Sequence, residues 1–396
     1  MSSLRLLPTI IVKYIIRIVY AVCSFLFPVN SQKITFASYR SEQLKDNLQF
    51  IYDEMTENYP QYDCHILIKK FDRRLLAKVY YVFHMIKTCY HLATSKHFII
   101  DDYCFPLYCI KELRPGTETI QLWHSAGALK KFGLSTVGKP FGPSETYIQH
   151  IQIHGNYSKV YVSAKEVIPY FAEAFQMNPK QIYPLGIPRT DYFFDKNRIG
   201  KMQEQFNIDH PEFAGKKIIL YAPTFRGKSH DQACFTLPFD LQKMERALAD
   251  EYVLLIHLHP YMRKNLQLEN NRFAYQMDSK YKIEELLAVT DLLITDYSTV
   301  FFDYSLLERP MVFYAYDLDK YIEERDFYYD YEKMIPGPLA TDTDSLIEVI
   351  KLNRFSKEQI TAFKNRFFDY QDGNATKRIV AHILEGEMVK VTRQAV

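Results

Sequence analysis

Short apolar runs alternate with amphipathic stretches from residue 33 to the end of the chain. Runs of about four to eight apolar residues between polar turns are typical of strands, and apolar positions three and four apart are typical of helices. Helical periodicity is present over 42–59, near 77–94 and near 240–250. Ten further runs predict strands: 33–38, 64–69, 97–103, 118–124, 159–164, 181–186, 216–225, 252–260, 291–298 and 310–316. This alternation predicts parallel sheets covered by helices.

A polar, charged stretch at 195–216 divides this pattern into two halves. At 396 residues the chain is also too long for one ordinary hydrophobic core. We therefore expect an α/β protein with two doubly wound, Rossmann-like domains, 33–195 and 196–396, whose final helices could pack back on the first domain. Ligands of such open sheets bind beside the carboxyl ends of the strands. Motifs at strand ends, facing a cleft between the domains, are therefore the candidates for function.

Residues 1–32 form a separate segment that contains basic but no acidic residues. On a helical wheel Arg5, Lys13 and Arg17 share one face, and most other positions are apolar. This pattern predicts a basic amphipathic helix that lies in the interface of an anionic membrane. The two central charges disfavour a spanning helix, and the broken apolar run disfavours a secretory signal. The alternative is a first helix buried on the domain core.

Net charge, cysteine spacing and absent motifs exclude several classes of protein. A net charge of +2 is too close to zero to indicate nucleic-acid binding. The six cysteines show neither a CxxC pair nor zinc spacing, which is typical of reduced thiols in a cytoplasmic protein. The sequence has no GxGxxG, no Walker lysine loop and no GxSxG. These absences count against dinucleotide oxidoreductases, P-loop enzymes and serine hydrolases.

The stretch ETIQLWHSAGALKKFG, residues 118–133, combines a strand, the only tryptophan of the chain and a histidine. His124 is the last residue of the predicted strand, so we expect Trp123 to point to the opposite face, into the packing layer. Lys130 and Lys131 add positive charge. Four small residues open a helix whose free N–H groups suit a phosphate: Ser125, Ala126, Gly127 and Ala128. The alternative is a tight strand–helix turn that uses small residues only for packing.

The stretch LLIHLHPYMRK places two histidines at the end of a strand in the second half. His257 and His259 share one face because strand residues alternate, and Pro260 ends the strand. His259 therefore lies at a carboxyl end, whereas His257 is equally compatible with a structural role. A zinc site is the alternative, but the sequence has no third histidine or cysteine ligand nearby.

The stretch TDYSTVFFDYSLLERP follows another apolar strand. Ser298 and Thr299 stand where a helix begins, and their hydroxyl and N–H groups suit a diphosphate. Either residue could instead cap the helix, and both roles are compatible. Asp303 lies one turn into this helix and could reach a ribose hydroxyl.

Three shorter stretches also lie at predicted strand ends. YAPTFRG carries Thr224 and Phe225 at one edge, and GIPRTD places Arg189 near the hinge, where it could meet a phosphate. An ordinary surface arginine is the alternative for Arg189. Asp101 and Asp102 in IIDDY resemble a metal-binding carboxylate pair, but a lone acidic pair after a strand is weak support for a site.

Taken in this order, WHSAGALKKFG, GIPRTD, YAPTFRG, HLHP and TDYSTVFFDYSLLERP resemble the CDP-glycerol glycerophosphotransferase family of teichoic-acid synthesis. The resemblance covers roughly residues 30–385. It implies a GT-B-like fold, peripheral on the cytoplasmic face of the cell membrane. It also implies transfer of glycerol phosphate from CDP-glycerol, or of ribitol phosphate from CDP-ribitol, to a prenyl-diphosphate-linked saccharide, with release of CMP. The chain length is closer to members that add a single unit than to the polymerases.

The resemblance also implies roles for individual residues. The two functional histidines of the family fall on His124 and His259, and we expect His124 to be the base and His259 the phosphate partner. A metal is not required by these residues, although Mg²⁺ could assist the diphosphate. The CDP-polyol contacts fall on Ser125, Ala126, Gly127, Ala128, Arg189, Thr224, Phe225, His257, Leu258, Ser298, Thr299 and Asp303.

Two functions of other kinds remain as alternatives. A sugar-nucleotide glycosyltransferase on the same architecture would release CDP or UDP instead of CMP. A non-catalytic membrane subunit of a polymer-assembly complex would not depend on His124. The sequence does not distinguish glycerol from ribitol, or the addition of one unit from many.

Overall fold

The computed structural model describes residues 3–70, 75–224, 236–258, 266, 268, 271–277 and 280–385. The chain forms two compact units. Unit 1 contains Met1–His124, Phe132–Asp191 and Asp372–Val396, and unit 2 contains Ser125–Lys131 and Tyr192–Gln371. The segment directly after His124 is therefore part of unit 2, and the last helix that the structure describes is part of unit 1.

Unit 1 is built on one parallel sheet. Its elements up to residue 183 are α1 (Ser3–Leu26), β1 (Asn30–Ser38), α2 (Asp46–Asn58), β2 (Asp63–Ile68), α3 (Leu75–Thr94), β3 (Ser95–Ile100), α4 (Phe105–Cys109), β4 (Glu118–Gln121), α5 (Glu145–His150), β5 (Lys159–Tyr161), α6 (Ile168–Phe175) and β6 (Ile182–Tyr183). The strand order is β2-β1-β3-β4-β5-β6. Strand β3 is buried along nearly its whole length, as expected where both faces of a parallel sheet are covered.

Unit 2 repeats this architecture. Its elements are α7 (Lys196–Asp209), β7 (Lys217–Tyr221), α8 (Leu241–Leu248), β8 (Tyr252–Ile256), β9 (Ala274–Gln276), α9 (Ile283–Val289), β10 (Leu292–Thr295), α10 (Val300–Ser305), β11 (Met311–Tyr314), α11 (Leu318–Arg325), α12 (Tyr331–Met334), β12 (Leu339–Ala340), α13 (Thr343–Lys351) and α14 (Lys357–Phe367). The order is β12-β11-β10-β7-β8-β9, again parallel, and α15 (Ala375–Glu385) returns to unit 1. Strand residues such as Ile219, Leu254 and Ile294 form the core.

The predicted α/β class with two parallel sheets is confirmed. Each of the ten predicted strands is present, most of them shorter than predicted. The pattern did not predict β9 and β12, because a strand of two or three residues has too few positions to show alternation.

The strand orders fix where a ligand would bind in each unit. In unit 1, β2 lies on one side of β1, and β3 and the later strands lie on the other side. The direction in which strands are added therefore reverses between β1 and β3. In unit 2 the same reversal lies between β7 and β10. Ligands of open α/β sheets bind outside the carboxyl ends of the strands at such switch points.

Two basic residues of helix α1 face the rest of unit 1. Lys13 is buried and donates from Nζ to the carbonyl oxygen of His150 at 3.1 Å. Arg17 donates from Nε to the carbonyl oxygen of Cys109 at 2.7 Å. The prediction that these two side chains face an anionic membrane is therefore wrong, because unit 1 supplies their acceptors. The side chain of Arg5 lies outside the described residues.

Many apolar side chains of α1 face outward, although Leu6, Ile16 and Tyr20 are buried. Ile18 is 64% exposed, Phe25 is 87% exposed and Leu26 is 61% exposed. By length and composition alone, Leu6–Leu26 could also cross a membrane, a test that soluble core helices and signal sequences pass as well. The hydrogen bonds of Lys13 and Arg17 hold this helix along the surface of unit 1.

Candidate functional site

The predicted strand 118–124 ends early, at Gln121, and Trp123 then adopts a left-handed φ of 54°. Two side chains hold this turn: the Trp123 N–H donates to Oε1 of Gln121 at 2.8 Å, and Nδ2 of Asn47 donates to the Trp123 carbonyl oxygen at 2.9 Å. A left-handed conformation costs a bulky residue about 1–3 kcal/mol and persists only where its surroundings enforce it. The backbone that presents His124 is therefore strained and firmly held.

Trp123 is a packing residue, as the sequence analysis predicts. Its ring is buried, stacks on Phe132 at 5.2 Å between centroids and meets Phe175 edge-on at 5.3 Å. The prediction that it points away from His124 is wrong. The two rings lie 4.4 Å apart at an interplanar angle of 31°, because the left-handed turn breaks the alternation of the strand. The indole therefore forms one wall around the imidazole.

His124 has an imidazole that is neutral at neutral pH. Its Nδ1 is buried and has no hydrogen-bond partner among the described residues, although 31% of the side chain is exposed. Burial lowers the pKa of His124 to about 4, the Asp102 carboxylate opposes this shift, and the guanidinium groups of Arg40 and Arg189 reinforce it. A neutral imidazole with one exposed edge can accept a proton from a bound hydroxyl group.

Arg189 is directly attached to the His124 turn. The arginine is buried and donates from Nη1 to the carbonyl oxygen of His124 at 3.0 Å. Its backbone N–H donates to Oδ1 of Asn47 at 3.0 Å, so Asn47 joins the Arg189 and Trp123 backbones. The alternative of an ordinary surface arginine is wrong. Sequence reasoning missed Asn47, because nothing distinguishes it from other polar residues at the start of a helix.

The acidic pair after β3, which the sequence analysis set aside, lies beside His124. Oδ2 of Asp102 is 3.9 Å from Nδ1 of His124 and 3.9 Å from Nε of Arg40. Asp101 is buried, and burial together with the charge of Asp102 raises the pKa of its carboxyl group to about 7. The pair follows β3 and Arg40 follows β1, so all three residues lie at the switch point of unit 1.

The segment of small residues is not a helix. The prediction that Ser125–Ala128 open one is wrong, because this segment runs as bends and Oγ of Ser125 donates to the Gly127 carbonyl oxygen at 2.7 Å. A Cβ at position 127 would overlap the ring of Phe302 in α10. Glycine is therefore required here for close packing. The predicted phosphate contacts of Ser125, Ala126, Gly127 and Ala128 stay a prediction.

The two lysines after this segment have acceptors within unit 2. Nζ of Lys131 lies 3.0 Å from Oδ2 of Asp326, and the backbone of Lys130 forms an antiparallel bridge with Phe327. Nζ of Lys130 also donates to the hydroxyl group of Tyr321 at 3.4 Å. These contacts attach the segment to the chain that follows α11.

At the switch point of unit 2, Asp296 brings two predicted binding residues together. Its Oδ1 accepts from the N–H of Thr224 at 2.8 Å and from the N–H of Ser298 at 3.2 Å. Asp296 is buried directly after β10. Asp296 is not among the residues predicted from the sequence to bind the donor, although it lies in the TDYST motif.

The remaining predicted residues of unit 2 differ in their environments. Thr299 occupies the N-cap position of α10, but its side chain makes no capping hydrogen bond, so the capping alternative does not hold for it. Asp303 is buried within the same short helix. The His257 N–H donates to the carbonyl oxygen of Tyr221 at 2.9 Å, which extends the ladder beyond β8. Leu258 packs in the core, so only its backbone is available to a ligand.

Two predicted residues, His259 and Phe225, lie outside the described residues. Within the described part of the chain, no group of three or more histidine, cysteine, aspartate or glutamate side chains could hold a metal ion.

A family model described as CDP-Glycerol:Poly(glycerophosphate) glycerophosphotransferase matches residues 18–385. The chain belongs to this family. It is 44% identical over 377 residues to the teichoic acid ribitol-phosphate primase of Bacillus spizizenii, covering 95% of this chain and 96% of that protein. It is 32% identical over 362 residues to the teichoic acid glycerol-phosphate primase of Bacillus subtilis, covering 90% and 89%.

A solved structure of the wall teichoic acid polymerase TagF has the same fold as this transferase, with a TM-score of 0.76 and 25% identity, covering 97% of this chain and 96% of that chain. The predicted family and the predicted reaction class, phosphotransfer from a CDP-polyol in teichoic acid synthesis, are confirmed.

Proposed function

We propose that this transferase adds one polyol phosphate from a CDP-polyol to a prenyl-diphosphate-linked saccharide and releases CMP. The observation that carries the proposal is the neutral, partly exposed imidazole of His124 beside the switch point of unit 1. A proton acceptor at a switch point is what deprotonation of an acceptor hydroxyl group requires.

His124 acts as the general base in this proposal. The acceptor hydroxyl gives its proton to His124 while its oxygen forms a bond to the β-phosphorus of the donor. The bond from that phosphorus to the bridging oxygen breaks, and the electron pair leaves with CMP. Positive charge near the phosphates stabilises the charge that moves to the leaving group, a role that we assign to Arg189 and His259.

Unit 2 holds the CDP-polyol in this proposal. Asp296 fixes the backbone N–H groups of Thr224 and Ser298, and the Thr299 side chain makes no capping bond to α10. The hydroxyl groups of Thr224, Ser298 and Thr299 can donate hydrogen bonds to phosphate oxygens. The N–H groups of Thr224 and Ser298 already donate to Asp296, so we expect their side chains, more than their backbones, to contact the donor.

Glycerol and ribitol are both candidates for the polyol. From the sequence alone, CDP-glycerol is the first candidate for the donor and CDP-ribitol the second. The relative named ribitol-phosphate primase is 44% identical to this chain, and the glycerol-phosphate primase of Bacillus subtilis is 32% identical. This difference favours ribitol phosphate as the transferred group. Both relatives are named primases, which supports the addition of a single unit.

We further propose that the transferase is peripheral on the cytoplasmic face of the membrane, where its lipid-linked acceptor would lie. Helices α1 and α3 pack together, and both carry exposed apolar side chains that support this proposal. These are Ile18 and Phe25 on α1 and Tyr80 and Phe83 on α3. An exposed apolar surface on one side of a helix favours insertion into the lipid interface. Contact through apolar side chains replaces the contact through Lys13 and Arg17 that the sequence suggested.

Two expectations on this transferase stay predictions. The GT-B-like class comes from the family resemblance alone. The reaction is expected to need no metal, with Mg²⁺ able to assist the diphosphate. An EDTA titration of the purified enzyme, followed by addition of Mg²⁺, measures any metal requirement.

The test is a single-donor reaction. Purified transferase is incubated with a lipid-linked disaccharide and either CDP-glycerol or CDP-ribitol, and CMP and the product mass are measured. We expect CMP and a mass increase of one polyol phosphate, faster with CDP-ribitol. His124→Ala should abolish turnover, whereas His65→Ala, a partly exposed histidine on β2, should not. Release of CDP would support a glycosyltransferase, and full activity of His124→Ala a non-catalytic subunit.

A further inference from the structure

Asp102 and His124 follow neighbouring strands of unit 1. Strands β3 and β4 pair in parallel, so their carboxyl ends bring the two side chains together. Oδ2 of Asp102 lies 3.9 Å from Nδ1 of His124, and that nitrogen is buried without a hydrogen-bond partner among the described residues. In proteins, the group that faces one ring nitrogen of a histidine determines which nitrogen carries the proton.

The carboxylate of Asp102 is held in a defined orientation. Its Oδ1 accepts from the backbone N–H of Tyr103 at 2.7 Å, and its carbonyl oxygen accepts from Nε2 of Gln121 at 3.1 Å. Oδ2 is the oxygen that faces both His124 and Arg40. Asp102 is thus fixed on one side and presents its second oxygen to the imidazole.

Three charged side chains change the pKa of His124, and they do not all change it in the same direction. Arg40 and Arg189 are cationic and oppose protonation of the ring, whereas Asp102 is anionic and favours it. Burial opposes protonation as well, whereas the backbone of Asp101 favours it. A base in this environment needs a nearby negative charge, because otherwise the imidazolium that forms during the reaction would be surrounded by cations.

We propose that Asp102 is a positioning residue for His124: it keeps the imidazole proton on Nδ1, leaves Nε2 to accept the proton of the acceptor hydroxyl group, and stabilises the resulting imidazolium. This inference rests on the proposed role of His124 as the base. During the step, Nε2 gains the acceptor proton and the ring becomes cationic, while Asp102 remains an anionic carboxylate throughout.

Replacement of Asp102 by asparagine therefore has two linked effects. Loss of the carboxylate lowers the pKa of His124 further, which moves the acidic limb of the kcat/KM profile to lower pH. It also slows proton transfer at the plateau, so kcat should fall about 10- to 100-fold. KM for the CDP-polyol should stay within about twofold, because the proposal gives Asp102 no contact with the donor.

The experiment compares Asp102→Asn, Asp102→Glu and Asp46→Asn with the wild type. Asp46→Asn is the matched control, since Asp46 is 4.0 Å from Arg40 but does not act on His124. We expect Asp102→Glu to recover part of kcat and Asp46→Asn to retain nearly all of it. NMR titration of labelled histidines, with the His124 resonance identified by its absence in His124→Gln, should show a lower pKa for His124 in Asp102→Asn.

A wild-type kcat and an unchanged pH profile in Asp102→Asn would overturn the inference, as would an unchanged His124 titration. The NMR titration needs no substrate, so it tests the Asp102–His124 coupling even if turnover is lost for another reason. The proposed function fails separately: an active His124→Ala would overturn the role of His124. If His124→Ala is inactive and Asp102→Asn behaves as wild type, only the inference about Asp102 fails.

Discussion

Gly127 packs directly against the ring of Phe302, and this ring fills the space that a side chain at position 127 would occupy. The contact joins the segment after His124 to α10 within unit 2. The sequence suggests that this glycine leaves room for a phosphate, but packing against Phe302 is sufficient to require it.

Gly127→Ala should therefore destabilise the transferase by about 1–3 kcal/mol, the usual cost of overpacking a well-filled site. Urea unfolding followed by circular dichroism measures the change. Gly200→Ala is the control, because Gly200 lies in α7 with open space around it, and alanine favours the helix by about 0.5–1 kcal/mol. Combining Gly127→Ala with Phe302→Leu should restore part of the loss, and no recovery would show that the ring is not the cause.

Asn47 connects two backbone groups near His124, and its loss should affect stability and activity together. Asn47→Ala leaves the Trp123 carbonyl oxygen and the Arg189 N–H without their side-chain partners, at about 1–3 kcal/mol for each buried group. We expect a lower unfolding midpoint and a reduced kcat, because the strained Trp123 turn loses one of its supports. Gln49→Ala on the same helix loses only a surface contact with Asp53 and should remain close to wild type.

Asn47→Asp separates the two hydrogen bonds. Aspartate can still accept from the Arg189 N–H, but it cannot donate to the Trp123 carbonyl oxygen. If the left-handed turn matters for presenting His124, this variant should lose kcat nearly as much as Asn47→Ala. Wild-type activity in Asn47→Asp would show that support of Trp123 is dispensable.

The sequence predicted the sheets well and the site only in part. Apolar runs identify strands because burial on both faces of a parallel sheet leaves a continuous pattern, and His124 follows such a run. The left-handed turn at Trp123 is invisible in sequence, because it depends on Gln121 and on Asn47, which is distant along the chain. For the same reason the sequence does not distinguish Asp102, because only the pairing of β3 with β4 brings it beside His124.

The polarity of α1 shows a second limit of sequence patterns. A helical wheel reveals a basic stripe, but it does not reveal which side faces the protein. Carbonyl oxygens of His150 and Cys109 accept the hydrogen bonds of Lys13 and Arg17, so the stripe turns inward. The orientation of Lys13 and Arg17 depends on hydrogen-bond acceptors from distant segments of the chain, so it cannot be predicted from the sequence of the helix alone.

Asp101 should make the stability of the transferase depend on pH. Its carboxyl pKa is about 7 in the folded protein, against about 4 in an unfolded chain. Between these values the folded state holds a proton that the unfolded state has released, so stability falls as pH rises from 4 to 7. Asp101→Asn, which resembles the protonated acid, should remove this loss and be more stable than wild type at pH 8, by at most about 4 kcal/mol.

Urea unfolding of both proteins at pH 5 and pH 8 checks the direction. The advantage of Asp101→Asn should be small at pH 5 and large at pH 8. Asp53→Asn, an exposed carboxylate on α2, serves as the control and should show no such difference. An advantage for Asp101→Asn of equal size at both pH values would contradict the assignment of the titration to Asp101.

If α1 attaches to the membrane through its apolar face, mutations of apolar residues should release the protein from vesicles and high salt should not. Attachment through the basic stripe would give the opposite result. Ile18→Ser combined with Phe25→Ser should reduce sedimentation with anionic vesicles by about tenfold or more, because each loses burial worth about 1.5–3 kcal/mol. Raising the salt concentration should weaken binding of the wild type only slightly, since the contact is mainly apolar. Ile208→Ser is the control, as Ile208 is 72% exposed on α7 of unit 2.

Arg17→Gln should lower thermal stability through the lost hydrogen bond to the Cys109 carbonyl oxygen and leave vesicle binding nearly unchanged. If instead Arg17→Gln and high salt release the protein while the double serine variant stays bound, the basic stripe is the membrane contact and the proposed orientation of α1 on the bilayer is wrong.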